Sequence, residues 1–217
     1  MQWTDKAFVT ANVGIQAGSH NLNTAQTFTL YDEDATVSSA LKVKSGAFFD
    51  IGGGYRVWRN NVTAGAIFSW MGNSSNAAVT GSIPDPAFFD RPRAVSTSAN
   101  DLSHRESALH LNATYMLPVT DKIDVGVSAG PSIFFVKQQV VGSLPISEPG
   151  PTVGTPSVTS ERETTVGVNF GVDVTYLLTP KYGVGGIARY SWGSADIHGD
   201  SLTVGGLQIG GGFRMRF

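Results

Sequence analysis

The chain has 217 residues and a formal net charge of −2, so a single domain over 1–217 is the expectation. A charge so near zero gives no electrostatic basis for binding nucleic acid, and that function class is excluded. Cysteine is absent, which excludes disulfides and thiolate chemistry. No run of about 18 apolar residues occurs, which excludes a transmembrane helix. No signal peptide is visible after Met1, so an exported protein is expected to be in its mature form here.

Apolar residues alternate with small or polar residues along most of the chain, and this period of two is typical of membrane-spanning strands. The pattern predicts eight strands, at 7–17, 49–57, 62–70, 109–117, 123–135, 166–176, 182–190 and 207–217. Turn-forming residues follow the second, fourth and sixth strands, at 60–61, 118–122 and 179–181. Gly205 and Gly206 predict a bulge or a kink in the last strand.

The remaining connections are longer and cover roughly 18–44, 71–106, 137–162 and 193–201. Short turns at one end and long loops at the other are the arrangement of a membrane barrel. An even number of strands then brings both termini to the short-turn end. Weak alternation over 27–44 predicts that the first loop extends strands beyond the membrane.

The polar face of these strands carries charges of both signs, and we predict that it lines the lumen. One arginine at the lipid midplane would cost about 2–4 kcal/mol, so several charges on one face favour that face pointing inward. Toward the short-turn end we predict a salt-bridge network that plugs the barrel, formed by Arg56, Asp124, Asp173, Arg214 and Arg216. Separate, water-solvated charges are the alternative.

Outward aromatic residues gather at both ends of the strands, as in the interfacial belts of a membrane barrel. The short-turn end has Tyr55, Tyr115, Tyr176, Tyr182, Phe213 and Phe217. The long-loop end has Phe68, Trp70, Phe135, Tyr190 and Trp192. The soluble alternatives are a β-sandwich with a solvated polar face and a lipocalin-like binder with an apolar interior. Strand propensity alone does not explain why aromatic residues gather at both ends.

The C-terminal segment resembles the signal by which bacterial outer-membrane proteins are recognised for barrel assembly. Its features are a terminal aromatic residue, Phe217, a hydrophobic residue two positions earlier, Met215, and an upstream glycine, Gly212. Together with the strand pattern, the chain resembles the superfamily of small outer-membrane β-barrels of the OmpA/OmpX type over roughly 6–217. Several segments are also similar to a poorly characterised bacterial branch of that superfamily.

The resemblance implies an all-β fold: a single eight-stranded antiparallel up-and-down transmembrane β-barrel with short periplasmic turns and long extracellular loops. It further implies an integral protein of the bacterial outer membrane with periplasmic termini. Outer-membrane lipids and the barrel assembly machinery are the partners that it implies. It implies no settled activity, and no catalytic residues carry over from it.

The second long loop combines rigid prolines with two aromatic residues, Phe88 and Phe89, and two cations, Arg91 and Arg93. We predict that these residues form a contact surface for an extracellular partner, whose identity the sequence does not give. The alternative is that the two rings fold back onto the mouth of the barrel.

A lipid-modifying enzyme would need a nucleophile and a base near the outer interface. The residues of suitable type are Ser103, His104, Ser107, His110, Asp196, His198 and Ser201. Such residues are common in polar loops, so we expect no catalytic site. The four histidines lack metal-ligand spacing, so neither a metal nor another cofactor is expected.

The expected function is a plugged barrel with a structural or surface-interaction role; the alternatives are a narrow channel for small solutes and a lipid-modifying enzyme.

Overall fold

The computed structural model describes residues 5–18, 20–58, 61–147, 152–197 and 199–217. The strands in these ranges are β1 (Ala7–Ala17), β2 (His20–Leu30), β3 (Glu33–Val43), β4 (Gly46–Trp58), β5 (Val62–Ile83), β6 (Arg93–Pro118), β7 (Ile123–Val141), β8 (Ile146–Ser147), β9 (Thr152–Val153), β10 (Val158–Leu177), β11 (Tyr182–Ile197) and β12 (Asp200–Arg216). Across the described residues, no helix has the length and apolarity to cross a membrane. The predicted turn residue Asn60 and the loop residue His198 lie outside these ranges.

Eight strands form a closed antiparallel ring in the order β1, β4, β5, β6, β7, β10, β11 and β12, and β12 pairs back onto β1. Each predicted strand falls within one member of this ring, apart from the terminal Phe217, so the predicted eight-stranded barrel is confirmed, although β5 and β6 are more than twice as long as predicted. The closing seam begins with Phe8 opposite Arg216. At the same rim the Lys6 N–H donates to the Phe217 carbonyl at 2.6 Å, so the first and last described segments meet there.

The long connections lie where the sequence predicts them, but most of their residues continue the strands. β5 runs on to Ile83 and β6 begins at Arg93, so these two strands form a tall hairpin. The predicted strand extension within 27–44 is confirmed by β2 and β3. β3 pairs with β5 beyond the point where β4 stops, from Leu41 opposite Ala77 onward. The β2–β3 hairpin therefore replaces β1 and β4 in the wall at this end, and β2 lies beside β12.

The alternation of apolar and polar side chains reverses along the barrel. Between the aromatic belts, in what we call the membrane half, apolar residues face outward; Val13 and Val168, for example, are 62% and 56% exposed. Beyond the belt far from the termini, in the distal half, apolar residues face inward. They form a small buried cluster of Ala35, Ile83 and Val95 and a larger one, which we call the apolar cluster: Leu22, Val37, Leu41, Val43, Ala77, Val79, Ala99, Leu102, Ala108, Phe134, Val136, Val140, Val141, Ala195, Ile197, Leu202 and Val204. Strands with this reversed pattern do not match the membrane signature, which is why they look like loops in the sequence.

The strands of the barrel wall depart from regular geometry at two places. The pairing of β5 with β6 shifts by one residue near Asp101, which has a φ of 56°, and the shift turns Ala99 inward. Gly205 and Gly206 in β12 have φ values of 90° and 132°, yet the pairing with β11 continues without a shift. The irregularity predicted in the last strand is therefore present as two positive-φ glycines and not as a bulge in the β11–β12 pairing.

Candidate functional site: the filled lumen

The lumen near the termini contains a cluster around Arg214. This side chain faces inward from β12 and is 3% exposed. Its guanidinium pairs with Asp173 on β10 and donates to the side-chain oxygen of Asn12 on β1. Asn12 in turn donates through Nδ2 to Asp50 Oδ1 at 2.6 Å. The four side chains come from four strands, so their contacts join the wall across the lumen.

Arg216 forms a second cluster at the rim, two residues further along β12. It contacts the buried Asp124 on β7, and its Nη1 lies 3.4 Å from Asp5 Oδ2. Arg56 lies half-buried on an inward position of β4 at the same end. Of the predicted lumen residues, the structure pairs Arg214 with Asp173 and Arg216 with Asp124.

A further ion pair lies deeper in the membrane half, and sequence spacing gave no sign of it. Arg189 Nη2 donates to Asp50 Oδ2 at 2.8 Å, with side chains that are 4% and 0% exposed. Arg189 Nε also donates to Gln208 Oε1 at 2.7 Å, and Gln208 Nε2 donates to Gln16 Oε1 at 2.6 Å. Strand alternation predicts that Asp50 and Arg189 face inward, but their contact depends on how the ring closes.

The same chain of contacts continues to a buried carboxylate, Glu106. Gln16 Nε2 donates to Glu106 Oε1 at 3.2 Å, and the Gly205 N–H lies 3.1 Å from both carboxylate oxygens. The positive φ of Gly205 allows its N–H to leave the strand ladder and point into the lumen. His104 Nε2 lies 3.8 Å from Glu106 Oε2, and His104 Nδ1 lies 2.8 Å from Gln138 Oε1. The buried charge is thus surrounded by polar partners.

His110 is enclosed between two serines. Ser69 Oγ lies 3.1 Å from His110 Nε2, and Ser132 Oγ lies 2.7 Å from His110 Nδ1. Asn169 Nδ2 donates to Ser132 Oγ at 3.0 Å. His110 is 0% exposed, so these contacts hold the interior of the wall together and offer no surface to a substrate.

Phe134 lies between His110 and the rest of the apolar cluster. It is 0% exposed and meets His110 edge-on, with ring centroids 6.1 Å apart. Its ring lies against Gly167 and Gly193, where a Cβ would come within 2.9 Å and 3.0 Å of it. The lumen is therefore filled by polar groups with Phe48 and Met116 in the membrane half, and by the apolar cluster in the distal half, where Glu106, His104 and Gln138 are also buried.

The space that remains inside the barrel is divided. A cavity of about 60 Å³ lies in the membrane half beside Thr10, Asp173 and Arg189, and this volume suits only a few water molecules. A second cavity of about 290 Å³ lies in the distal half beside Gln26 and Leu144. The two cavities have no lining residue in common.

The residues considered for catalysis on β6 do not assemble. Ser103 and Ser107 occupy outward positions of this strand, whereas His104 and His110 are buried on its inward face. A strand places neighbours of opposite parity on opposite faces, so neither serine can reach either histidine of this group.

The second group considered for catalysis lies at the β11–β12 turn. Asp196 Oδ1 accepts the Gly199 N–H at 3.0 Å, and Ser201 Oγ lies 2.7 Å from Ser194 Oγ. The third member, His198, is outside the described ranges. Among the residues that the structure describes, no group of three His, Asp or Glu side chains is arranged to hold a metal ion.

The aromatic pair at the tip of the β5–β6 hairpin points away from the barrel. Phe88 and Phe89 are 58% and 73% exposed, so the rings do not fold back onto the mouth. The Arg91 guanidinium lies 5.3 Å from the centroid of the Phe88 ring, within the range of a cation–π contact.

The base of this tip is held in place by polar contacts. Arg93 Nη2 donates to the Pro84 carbonyl at 2.8 Å, and Arg93 Nε lies 3.7 Å from Asp85 Oδ2. The Asp90 N–H donates to Glu33 Oε1 of the neighbouring β2–β3 hairpin at 2.8 Å. The two hairpins therefore support each other beneath the exposed rings.

The C-terminal segment that resembles an assembly signal forms the closing strand. Phe217 and Met215 share the outward side of β12, and the Phe217 N–H donates to the Ala7 carbonyl at 2.9 Å. Gly212 lies so close to the Ala11 carbonyl of β1 that a Cβ would collide with it. The glycine of the signal thus allows close approach of the two strands at the seam.

A closed eight-stranded ring with an apolar outer band, two aromatic belts and a filled polar interior defines a small transmembrane β-barrel. A family model described as the outer membrane protein beta-barrel domain matches residues 1–214, and the chain belongs to that family. It is a β-barrel protein of the bacterial outer membrane. The expectations of family, fold and membrane are thereby confirmed.

Solved structures of small outer-membrane barrels are similar to this chain. Neisserial surface protein A (NspA) is 15% identical, with 97% of each chain covered and a TM-score of 0.50. OprG from Pseudomonas aeruginosa is 10% identical, with 100% of this chain and 98% of that chain covered and a TM-score of 0.49. Ail, the attachment invasion locus protein of Yersinia pestis, is 11% identical, with 97% and 99% covered and a TM-score of 0.43. At 15% identity the likeness to NspA shows the fold alone. No curated protein matches the sequence.

Proposed function

We propose that this protein is a closed outer-membrane barrel that does not conduct solutes and acts through its wall and its distal end, in a structural or surface-interaction role. The observation that carries the proposal is the presence of two successive layers inside the barrel: the buried Asp50–Arg189 pair in the membrane half, and Phe134 with the apolar cluster toward the distal end. A solute crossing the lumen would have to displace both layers.

The energetic cost of opening supports this proposal. Separating a buried ion pair leaves an uncompensated charge, and removing one partner of such a pair typically destabilises a protein by about 3–5 kcal/mol. Arg189 and Asp50 are both buried and both have further hydrogen-bond partners. The distal cluster adds apolar packing that water does not enter readily.

Conductance in planar bilayers tests the closed lumen. The wild-type barrel should give no steady conductance. A variant with Phe134→Ala, Asp50→Ala and Arg189→Ala should conduct, because it removes large side chains from both layers that fill the lumen. The matched control carries Phe135→Ala, Phe170→Ala and Tyr190→Ala on the outer wall and should stay closed. Heat-modifiable gel migration verifies that each variant is folded. A large steady wild-type conductance would support the narrow-channel alternative and overturn the proposal.

The enzyme alternative is tested by turnover of phospholipid or lipid A by the purified barrel. We propose that no turnover occurs, because the candidate serines and histidines of β6 lie on opposite faces of the strand. Turnover that is lost on substitution of a named residue would contradict this part of the proposal.

We further propose that the termini are periplasmic and that the barrel assembly machinery reads Gly212, Met215 and Phe217 during insertion into the lipid. The tip with Phe88 and Phe89 is then extracellular and available to a partner. An epitope before Lys6 should be detected only after the outer membrane is permeabilised, and an epitope in the 86–90 tip should be detected on intact cells. The reverse labelling would contradict this orientation.

A further inference from the structure

Three basic side chains stand next to one another on the outer wall. Arg105 on β6 is directly opposite Lys137 on β7, and Lys137 is directly opposite Arg162 on β10. Opposite residues of paired strands have Cβ atoms about 4.5–5.5 Å apart, so the three form one continuous row across three strands. Arg105 and Arg162 are exposed, and Lys137 is half-buried. We call these three residues the basic row.

The basic row lies immediately beyond the apolar band. Each member is the first charged residue on the outward face of its strand, counted from the end near the termini. On β7 the belt residue Phe135 is two positions from Lys137, which is about 7 Å along the strand. On β10 the last outward apolar residue before Arg162 is Val166, which is 75% exposed. This is the level at which lipid headgroups meet the wall.

The wall itself does not neutralise the basic row. Among the described residues, no carboxylate lies within 4.0 Å of any of the three cations. The acidic neighbours in sequence, Glu106, Glu161 and Glu163, occupy inward positions of their strands, opposite to the basic row. Like charges placed directly opposite each other destabilise a sheet. An anion that bridges the three cations would remove this repulsion.

We propose that the basic row binds the phosphate groups of an outer-leaflet glycolipid whose acyl chains lie along the adjacent apolar band. The guanidinium groups of Arg105 and Arg162 match phosphate oxygens in a bidentate manner, and the Lys137 ammonium supplies a point charge between them. Ile133 and Val166 form the apolar surface next to the row, where acyl chains pack. The assignment to the outer leaflet rests on the proposed orientation with periplasmic termini. The site is on the outside of the wall and does not depend on whether the lumen conducts.

The test uses the folded full-length protein in detergent and measures lipid binding by native mass spectrometry. The probes are lipid A with both phosphates and the same lipid without phosphate, and inorganic phosphate is added as a competitor. The test variant carries Arg105→Gln, Lys137→Gln and Arg162→Gln. The control carries Lys6→Gln, Lys122→Gln and Lys181→Gln, which removes the same charge from exposed positions at the opposite end.

The basic-row variant should bind phosphorylated lipid A on the order of 100-fold more weakly than wild type, since each membrane-proximal cation contributes about a factor of five. The control should stay within about twofold of wild type, and the phosphate-free lipid should bind all three proteins equally. An unchanged affinity of the basic-row variant, or an equal loss in the control, would overturn the proposal. Displacement of the lipid by millimolar inorganic phosphate would also overturn it, because it would mean that the site selects free phosphate.

Discussion

Phe134 and Phe135 are neighbours on β7 that face opposite environments, and together they test the distribution of apolar side chains. Phe134 is 0% exposed and packs between His110 and the rest of the apolar cluster, whereas Phe135 is 46% exposed on the lipid-facing belt. Phe134→Ala leaves a cavity that the surrounding wall cannot fill. Such buried truncations cost about 3–5 kcal/mol in free energy of unfolding.

Phe135→Ala should cost less, because lipid chains occupy the space that the ring leaves. The loss in free energy of unfolding should then be only the hydrophobic transfer free energy of the side chain, about 1.5–3 kcal/mol, because no cavity remains. Equilibrium urea unfolding in phospholipid vesicles, followed by fluorescence of the four tryptophans, measures both values. A cost for Phe135→Ala that equals or exceeds the cost for Phe134→Ala would refute the assignment of the two faces.

Further substitutions test the interior and the tip, and unfolding measurements in the same vesicles apply to each. Asp50→Asn or Arg189→Met alone should destabilise by about 3–5 kcal/mol, and the double variant should cost less than the sum because no unpaired charge remains; additive costs would contradict a coupled pair. Gly205→Ala should destabilise by at least about 1 kcal/mol, since the residue has a positive φ and its Cβ would meet a neighbouring carbonyl. Alanine at both Phe88 and Phe89 should change stability by no more than about 0.5 kcal/mol, because both rings are exposed; a large loss would show that they pack against the barrel.

The membrane half follows from the sequence almost completely, because the lipid face and the lumen impose opposite chemistry on alternate residues. The first predicted strand has the bounds of β1, and the inward positions of Asp124, Arg214 and Arg216, which are buried, and of Asp173, which pairs with Arg214, agree with the prediction. The distal half does not follow in the same way. In strands such as β3 the apolar residues face inward and the polar residues face water, and weak alternation of this kind is also found in loops.

The contacts inside the lumen could be predicted only in part. The alternation of side chains along a strand places Arg189 and Asp50 on the inward face. Their contact joins residues 139 positions apart, and it depends on how far neighbouring strands are shifted relative to one another around the barrel. Glu106 belongs to a stretch that looks like a loop in the sequence. Its inward position becomes evident only from the structure, in which β6 begins at Arg93. The one sequence feature that points to this contact is the Gly205-Gly206 pair. Glycine within a strand often marks a position where another group approaches the backbone closely.

The change of the outward face from lipid to water along one continuous strand can be measured by nitroxide scanning of β10, whose outward residues are apolar from Val166 to Tyr176 and polar at Arg162 and Thr164. The chain has no cysteine, so single cysteines at successive positions from 158 to 176 each give one label. Collision with oxygen, which is concentrated in lipid, should peak at every second position from Val166 to Tyr176 and reach minima at Asn169 and Asp173. From Thr164 toward Val158 the outward positions should instead be accessible to a water-soluble collision reagent. Oxygen maxima at Asn169 and Asp173, or no period of two, would contradict the account.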